Sequence, residues 1–211
     1  MGLRERMDKI YRDLPLESIP WNLERPPALL VEAVESGIVR PCPTVDLGCG
    51  AGNYAVWLAK QGFEVTGLDM SDEAVSHARK LAERVGVDCR FDVLDLLEDV
   101  SPYEAQFDFA YEWELLHHIF PDDRCNYVEN VARMLRPGGL YLSVCFSEDD
   151  VAFGGEGKYR DTPLGTRLYF SSEREVREVF ESRFDVVELR TAEIAGKRGN
   201  HIVNVAWLRR Q

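Results

Sequence analysis

The nine residues 45–53 constrain the fold of this chain more than any other stretch, and their sequence is Val-Asp-Leu-Gly-Cys-Gly-Ala-Gly-Asn. A short apolar strand with an acid at its end, Asp46, leads into a turn that has glycine at three alternating positions. Residues 54–60 then have the composition of a helix. Glycines at a strand-to-helix turn allow a ligand to lie against backbone N–H groups, because no Cβ stands in the way. The run therefore predicts an α/β fold with a ligand site at this turn.

Two ligand classes suit such a turn, and the neighbouring side chains distinguish them. A dinucleotide suits a glycine-rich helix N-terminus. Its fingerprint, however, requires a small residue where this chain has Asn53, and the charge of Asp46 would repel a diphosphate. A ligand that carries an ammonium and a sulfonium cation has the opposite preference, and S-adenosylmethionine is that ligand. A phosphate-binding P-loop is excluded because no Gly-Lys-Ser/Thr follows the turn.

The turn resembles the D-x-G-x-G-x-G motif of the class I S-adenosylmethionine-dependent methyltransferases, since residues 46–52 read D-L-G-C-G-A-G. The resemblance implies that S-adenosyl-L-methionine is the cofactor and that Asp46, Gly48, Cys49, Gly50 and Asn53 bind it. It also implies an α/β fold with a Rossmann-like seven-stranded sheet. That sheet is mostly parallel, ends in an antiparallel pair of C-terminal strands and carries helices on both faces.

Further carboxylates follow the next predicted strands, where ligands of open α/β folds bind. Asp69, beside Met70, ends an apolar strand about twenty residues past the turn, where an acid accepts hydrogen bonds from both ribose hydroxyls. By resemblance, Asp95 accepts from the adenine amino group and Leu96 forms an apolar wall. Glu112 ends the fourth strand, near the methionine end of the cofactor. For Asp95 and Glu112 the alternative is an acid that binds its own turn.

Residues 107–127, F-D-F-A-Y-E-W-E-L-L-H-H-I-F-P-D-D-R-C-N-Y, are similar to a segment of the thiopurine methyltransferase family. Pro20-Trp21-Asn22 also resembles a segment of that family whose tryptophan lies near the cofactor, which implies that Trp21 contacts it. The chain departs from the family in having His117 and His118 where the family has small apolar residues. The resemblance therefore implies the cofactor site and a small-molecule acceptor, but no thiopurine substrate.

The histidine pair is the candidate catalytic site. Methyl transfer from a sulfonium depends chiefly on alignment and the exclusion of water. A soft acceptor such as a thiol or a halide needs no base, whereas an oxygen or nitrogen acceptor with a high pKa needs one. His117 or His118 is then the predicted base, with a packing role as the alternative. Residues 147–169 are long and glycine-rich, and they predict a substrate lid in which Tyr159 and Arg160 contact the acceptor.

Composition bounds the domain organisation and the partners. A chain of 211 residues with 45% hydrophobic residues fits an N-terminal helical cap, 1–40, and a methyltransferase domain, 41–211. The net charge of −12 and the lack of a long basic run disfavour nucleic acid and anionic membranes as partners. We expect a small-molecule methyl acceptor as the partner and a monomer or homodimer.

The cysteines and the termini predict the compartment. The five cysteines are scattered, with no C-x-x-C pair, which is typical of reduced thiols and predicts no metal site. Residues 1–13 are charged and have no apolar leader, and no apolar run is long enough to span a membrane. We therefore expect a cytoplasmic protein.

Two alternative functions remain compatible with the same sequence. An NAD(P)-dependent oxidoreductase would keep the fold and change the ligand. A catalytically silent protein would bind S-adenosylmethionine without transferring its methyl group, because fold alone does not define function.

Overall fold

The computed structural model describes residues 2–211, which form six α-helices, four short 3-10 helices and nine strands. The helices are α1 (Leu3–Asp13), α2 (Ala28–Glu35), α3 (Asn53–Lys60), α4 (Asp72–Val85), α5 (Pro121–Met134) and α6 (Glu173–Phe180). The strands are β1 (Pro43–Leu47), β2 (Glu64–Asp69), β3 (Arg90–Val93), β4 (Phe107–Trp113), β5 (Leu135–Phe146), β6 (Tyr159–Asp161), β7 (Arg167–Tyr169), β8 (Phe184–Gly196) and β9 (Gly199–Arg210).

Seven of the strands form one sheet in the order β3-β2-β1-β4-β5-β9-β8. The pairs β1–β2, β2–β3 and β4–β5 are parallel, whereas β9 is antiparallel to both β5 and β8. This is the mostly parallel sheet with an antiparallel C-terminal pair that the sequence predicts, and the fold prediction is confirmed. By its internal contacts the chain divides into two compact units, one ending at Asp95 and one beginning at Leu96, which are described separately below.

In the first unit, α1 is fastened to the start of α4. Ser71 caps α4 by accepting a hydrogen bond from the Ala74 N–H, and its own hydroxyl donates to Asp8 of α1 at 2.6 Å. Exposed ion pairs from Arg4 and Arg12 to the first turn of α4 lie around this contact. Because Ser71 and Ala74 are fully buried, the cap is a packed part of the unit and fixes where α1 lies.

In the second unit, the antiparallel β8–β9 pair extends the sheet beyond β5. The predicted lid, residues 147–169, is folded rather than one open loop. It contains a short 3-10 helix, Ala152–Gly154, and the two-stranded pair of β6 and β7. Its aromatic residues Tyr159 and Tyr169 face each other across that pair, with ring centroids 4.9 Å apart.

No helix within residues 2–211 combines the length and the apolar character that crossing a membrane requires.

Candidate functional site

The glycine turn between β1 and α3 has the conformation that its glycines permit. Gly48, Gly50 and Gly52 have φ angles of 73°, 53° and 78°, a region that costs other residues conformational energy. The N–H groups of Gly48 and Cys49 both donate to the Leu68 carbonyl, at 2.8 and 3.0 Å. These bonds fix the turn against the end of β2.

Two of the three glycines are also required by close packing. A Cβ on Gly52 would lie 2.8 Å from the Cβ of Ala78 and 3.0 Å from a ring carbon of Phe91. A Cβ on Gly50 would lie 2.6 Å from the Tyr11 hydroxyl of α1. Gly52 therefore lets α3 begin against α4 and β3, and Gly50 lets the N-terminal helix approach the turn.

Asp69, at the end of β2, binds the turn through both carboxylate oxygens. Oδ2 accepts from the Gly50 N–H and Oδ1 from the Ser71 N–H, each at 2.9 Å. No lysine or arginine of residues 2–211 forms an ion pair with it, and burial raises the pKa of this carboxyl. Asp46, inside β1, is only 3% exposed. Two acids at the ends of neighbouring strands suit a ligand that brings hydroxyls or positive charge, and they oppose a diphosphate.

Tyr11, which the sequence analysis did not select, covers the turn together with Trp21. The Trp21 indole N–H donates to the Tyr11 hydroxyl at 2.9 Å, and Tyr11 is 4% exposed. Burial and the charge of Asp69 raise the pKa of Tyr11, so its hydroxyl stays protonated. The available signal was an aromatic residue in a helix that is rich in charged residues.

The other predicted cofactor residues lie in different parts of the chain. The side-chain amide of Asn53, the first residue of α3, donates to the Asn22 side chain at 2.8 Å. Met70 follows β2 directly and is half-buried. Asp95 ends the first unit, and Leu96, which is 5% exposed, begins the second.

Glu112 differs from its prediction. Its Oε1 accepts from the Ser143 hydroxyl at 2.5 Å, and its Oε2 accepts from the N–H groups of Leu115 and Leu116. We therefore assign this fully buried carboxyl a structural role, in place of the cofactor contact that the sequence predicts. It holds the short 3-10 helix Leu116–His118 against β4 and β5. This is the alternative given above, in which the acid binds its own turn.

The stability of the protein is expected to carry a pH signature of Glu112. Burial raises the pKa of this carboxyl from 4.5 to about 7, so between these values the folded state holds a proton that the unfolded state has lost. Its contribution is complete below about pH 4.5 and is lost as the pH rises to about 7, a difference on the order of 3 kcal/mol. Urea unfolding of wild type and Glu112→Gln at pH 5 and pH 7.5 measures it.

The two proteins are compared with each other at each pH, because His117 and His118 are present in both. Their lowered pKa values make the stability of both proteins rise with pH, which is opposite to the effect of Glu112. We expect the stability difference between wild type and Glu112→Gln to shrink or change sign as the pH rises. A difference that stays constant from pH 5 to pH 7.5 would contradict this assignment.

The predicted histidine pair lies in an aromatic cluster of the second unit. The ring of His117 stacks on Phe146 at a centroid distance of 4.4 Å and lies 4.8 Å from the His118 ring. Burial lowers the pKa of His117 well below its usual value and that of His118 to about 4. Both imidazoles are therefore neutral near pH 7, and within residues 2–211 the Nδ1 atoms of both have no hydrogen-bond partner.

The two predicted acceptor contacts on the lid have different outcomes. Tyr159 is 52% exposed and packs edge-on against Phe120. Arg160 is 3% exposed, stacks at 3.8 Å on the ring of Phe170, and donates to backbone carbonyls of residues 148, 150, 152 and 157. We therefore correct the prediction for Arg160, since its donors hold the lid backbone and are not free for an anionic substrate.

Glu114 is a half-buried acid that the sequence analysis did not select. It adopts a left-handed conformation with φ of 63°, which is uncommon for a residue with a side chain. Burial, together with the charges of Glu112 and Asp150, raises the pKa of Glu114 to about 7. Strained residues of this kind cluster at functional sites.

In the described part of the chain, no cluster of three or more His, Cys, Asp or Glu side chains has an arrangement that would hold a metal ion.

Comparison with known proteins identifies the class. A family model described as a methyltransferase domain matches residues 44–139. The 2-heptyl-1-hydroxyquinolin-4(1H)-one methyltransferase of Mycobacteroides abscessus is 27% identical over 72% of this chain and 67% of the relative. The ubiquinone biosynthesis O-methyltransferase of Aeromonas salmonicida is 29% identical over 58% of this chain. The match spans about half, 52%, of that second relative.

Solved structures share the fold. The Burkholderia thailandensis 1,6-didemethyltoxoflavin-N1-methyltransferase, solved with its substrate and S-adenosylhomocysteine, matches with a TM-score of 0.74 and 21% identity over 99% of this chain and 87% of its own. A structure described under the conversion of a disulfide bond into a thioacetal group during echinomycin biosynthesis matches with a TM-score of 0.85 and 24% identity, over 100% and 93% of the two chains.

The similarity of this chain to methyltransferases therefore rests on the domain match at residues 44–139 and on the shared fold. The enzyme class that the sequence predicts, a methyltransferase, is confirmed, and one of the solved structures that share the fold holds S-adenosylhomocysteine, the product form of the predicted cofactor.

Proposed function

We propose that this chain transfers the methyl group of S-adenosylmethionine to a nucleophilic atom of a small molecule by in-line displacement. The observation that carries the proposal is the half-buried Asp69 carboxylate, which forms no ion pair within residues 2–211 and accepts a hydrogen bond from the Gly50 N–H of the glycine turn. When bound, the cofactor supplies an electrophilic methyl carbon on a sulfonium. What the chain supplies is binding, orientation and the exclusion of water.

The cofactor residues follow from the first unit. In this proposal the backbone of Gly48, Cys49 and Gly50 lines the turn, Asp46 attracts the cationic amino-acid part, and Asp69 accepts from the ribose hydroxyls beside Met70. The remaining members are Trp21, Asn53, Asp95 and Leu96, as predicted from the sequence, with Tyr11 added from its contact with the turn. Residues 1–40 act as the cap of this site, because α1 is tied to α4 through Ser71.

For the acceptor we propose a planar aromatic molecule that reacts through a hydroxyl or a ring nitrogen. The support is the aromatic cluster of the second unit, in which Phe146 stacks between the rings of His117 and Phe170 at 4.4 and 5.2 Å. The nearby guanidinium groups of Arg124 and Arg160 donate to backbone carbonyls, which leaves little to recognise a strongly anionic acceptor. By their names, two of the similar proteins act on 2-heptyl-1-hydroxyquinolin-4(1H)-one and on 1,6-didemethyltoxoflavin.

A sulfur acceptor is the second candidate. The similarity of residues 107–127 to thiopurine methyltransferases favours it, as does the structural likeness to a protein described by the conversion of a disulfide bond. A thiol ionises readily and needs no base, so the neutral histidines would then only pack.

A product screen with S-adenosylmethionine tests the proposal. Phenols, hydroxyquinolines, aromatic thiols, amines and halides are incubated separately with the enzyme, and the methylated product is detected by mass spectrometry. We expect turnover with aromatic hydroxyl or ring-nitrogen compounds. If S-adenosylhomocysteine binds but no compound is methylated, the chain is the silent cofactor-binding protein instead.

A further inference from the structure

Asp150 is a buried carboxylate on the segment that follows β5. It is 3% exposed, and its two oxygens accept from two backbone N–H groups, Oδ1 from Ala152 and Oδ2 from Ile202, each at 2.6 Å. Backbone donors on both oxygens fix the orientation of the carboxylate. They also join the lid segment to β9.

His201, near the start of β9, lies against this carboxylate. Its Nδ1 is 3.3 Å from Oδ2 of Asp150, a close contact rather than an aligned hydrogen bond in this conformation. Its ring packs on Phe146 at a centroid distance of 4.9 Å, in the same aromatic cluster as His117. Gly196 makes room for it, since a Cβ there would lie 2.6 Å from Cδ2 and 3.0 Å from Nε2 of the imidazole.

The arrangement leaves one ring nitrogen for a ligand. Because Nδ1 is turned to Asp150, Nε2 is the ring nitrogen that is placed to accept a proton, and the side chain keeps 21% of its surface exposed. The ionisable groups that face the ring from neighbouring elements are Asp150, which is in contact with it, and His117, which interacts with it electrostatically. Glu193 of the neighbouring strand β8 binds the Asn200 amide instead.

We propose that His201, positioned by Asp150, accepts the proton of an aromatic O–H or N–H acceptor that lies against Phe146. This inference rests on the proposed function. The acceptor oxygen or nitrogen forms a bond to the methyl carbon as the carbon–sulfur bond breaks. That electron pair passes to sulfur and yields the neutral thioether S-adenosylhomocysteine, while the proton of the acceptor passes to Nε2.

His201 suits this role better than the histidines predicted from the sequence. A general base must hold the proton that it takes, and an adjacent carboxylate stabilises the imidazolium. Among residues 2–211, no carboxylate pairs with His117 or His118, and burial lowers the pKa of His118 to about 4. They fit better as neutral walls of the acceptor site.

The lid segment next to His201 exposes apolar side chains beside the aromatic cluster that contains Phe146. Val151 is 85% and Phe153 37% exposed, and the Phe153 ring lies 6.4 Å from Phe146. Phe153 also has a φ of 55°, a conformation that a bulky residue rarely adopts. Exposed apolar surface beside an aromatic cluster is suited to covering a planar ligand.

A series of acceptors of graded acidity tests the inference. His201→Gln, Asp150→Asn and wild type are assayed at pH 8 with phenol, with 4-nitrophenol and with thiophenol, the last two being already ionised. We expect His201→Gln to lower kcat/KM for phenol by about 10²- to 10³-fold, because a base is lost. For the two ionised acceptors we expect a change of less than about 3-fold. The same pattern with a smaller loss is expected for Asp150→Asn, and no change for the hairpin control Glu193→Gln.

The outcomes separate the two proposals. An equal loss with ionised and un-ionised acceptors, or no loss at all, would overturn the role of His201 while methyl transfer itself stands. If wild type methylates none of the acceptors although it binds S-adenosylhomocysteine, the proposed function fails and this inference with it. Nitrogen-15 NMR of wild type gives a check without a variant, because a His201 ring that carries its proton on Nε2 would contradict the contact with Asp150.

Discussion

Gly52→Ala is expected to lower the free energy of unfolding by about 2 to 5 kcal/mol. The left-handed backbone at φ of 78° costs a residue with a Cβ about 1–2 kcal/mol. The new methyl group would overlap the Cβ of Ala78 at 2.8 Å and the ring of Phe91 at 3.0 Å, which adds about 1–3 kcal/mol of overpacking. Urea unfolding followed by circular dichroism measures the loss.

Gly86→Ala is the matched control. Gly86 ends α4 with a φ of 76°, almost the same angle, but a Cβ there has no heavy atom within 4 Å. We expect this variant to lose only the backbone cost of about 1–2 kcal/mol. Equal losses in the two variants would show that the contact of the turn with Ala78 and Phe91 does not hold in solution.

Asp69→Asn is expected to weaken binding of S-adenosylhomocysteine by about 10- to 100-fold, the loss of about 1.5–3 kcal/mol from a charge-assisted hydrogen bond. Both carboxylate oxygens of Asp69 accept hydrogen bonds, one from the Gly50 N–H and one from the Ser71 N–H. The amide of an asparagine has only one oxygen, so its NH₂ group must face one of these two donors. The turn then loses a bond that shapes it, and the ribose loses an acceptor. Isothermal titration calorimetry gives the affinity.

Asp72→Asn provides the control for this variant. Asp72 is the first residue of α4, three residues after Asp69. Its carboxylate pairs with Arg4 at 3.2 Å, but both side chains are well exposed. Exposed pairs contribute about 0–1 kcal/mol, so we expect S-adenosylhomocysteine to bind as in wild type. Weakening of similar size in both variants would mean a general effect of charge at this end of α4.

Much of the fold could be predicted because the signals are local. The glycine turn, Ser71 at the start of α4 and the Gly196–Gly199 turn each mark a boundary through backbone conformation or capping, which short stretches of sequence determine. The pair of β6 and β7 inside the lid was not predicted. Its strands have three residues each, too few for a periodic pattern to mark them.

The candidate site was less predictable, because its roles depend on contacts between distant residues. Glu112 ends a strand as a ligand-binding acid would, yet only the fold reveals that Ser143 and the turn at Leu115 occupy its oxygens. Arg160 looks like a free cation in sequence, but the lid folds its backbone carbonyls around the guanidinium. Asp150 and His201 are 51 residues apart, and no motif connects them.

Calorimetric titration of the wild-type protein with S-adenosylhomocysteine and, separately, with NAD most directly tests the claim that the acidic glycine turn binds a sulfonium cofactor. We predict binding of S-adenosylhomocysteine at one site per chain, weakened in Asp69→Asn, and no binding of NAD. Binding of NAD together with no heat from S-adenosylhomocysteine would contradict that claim.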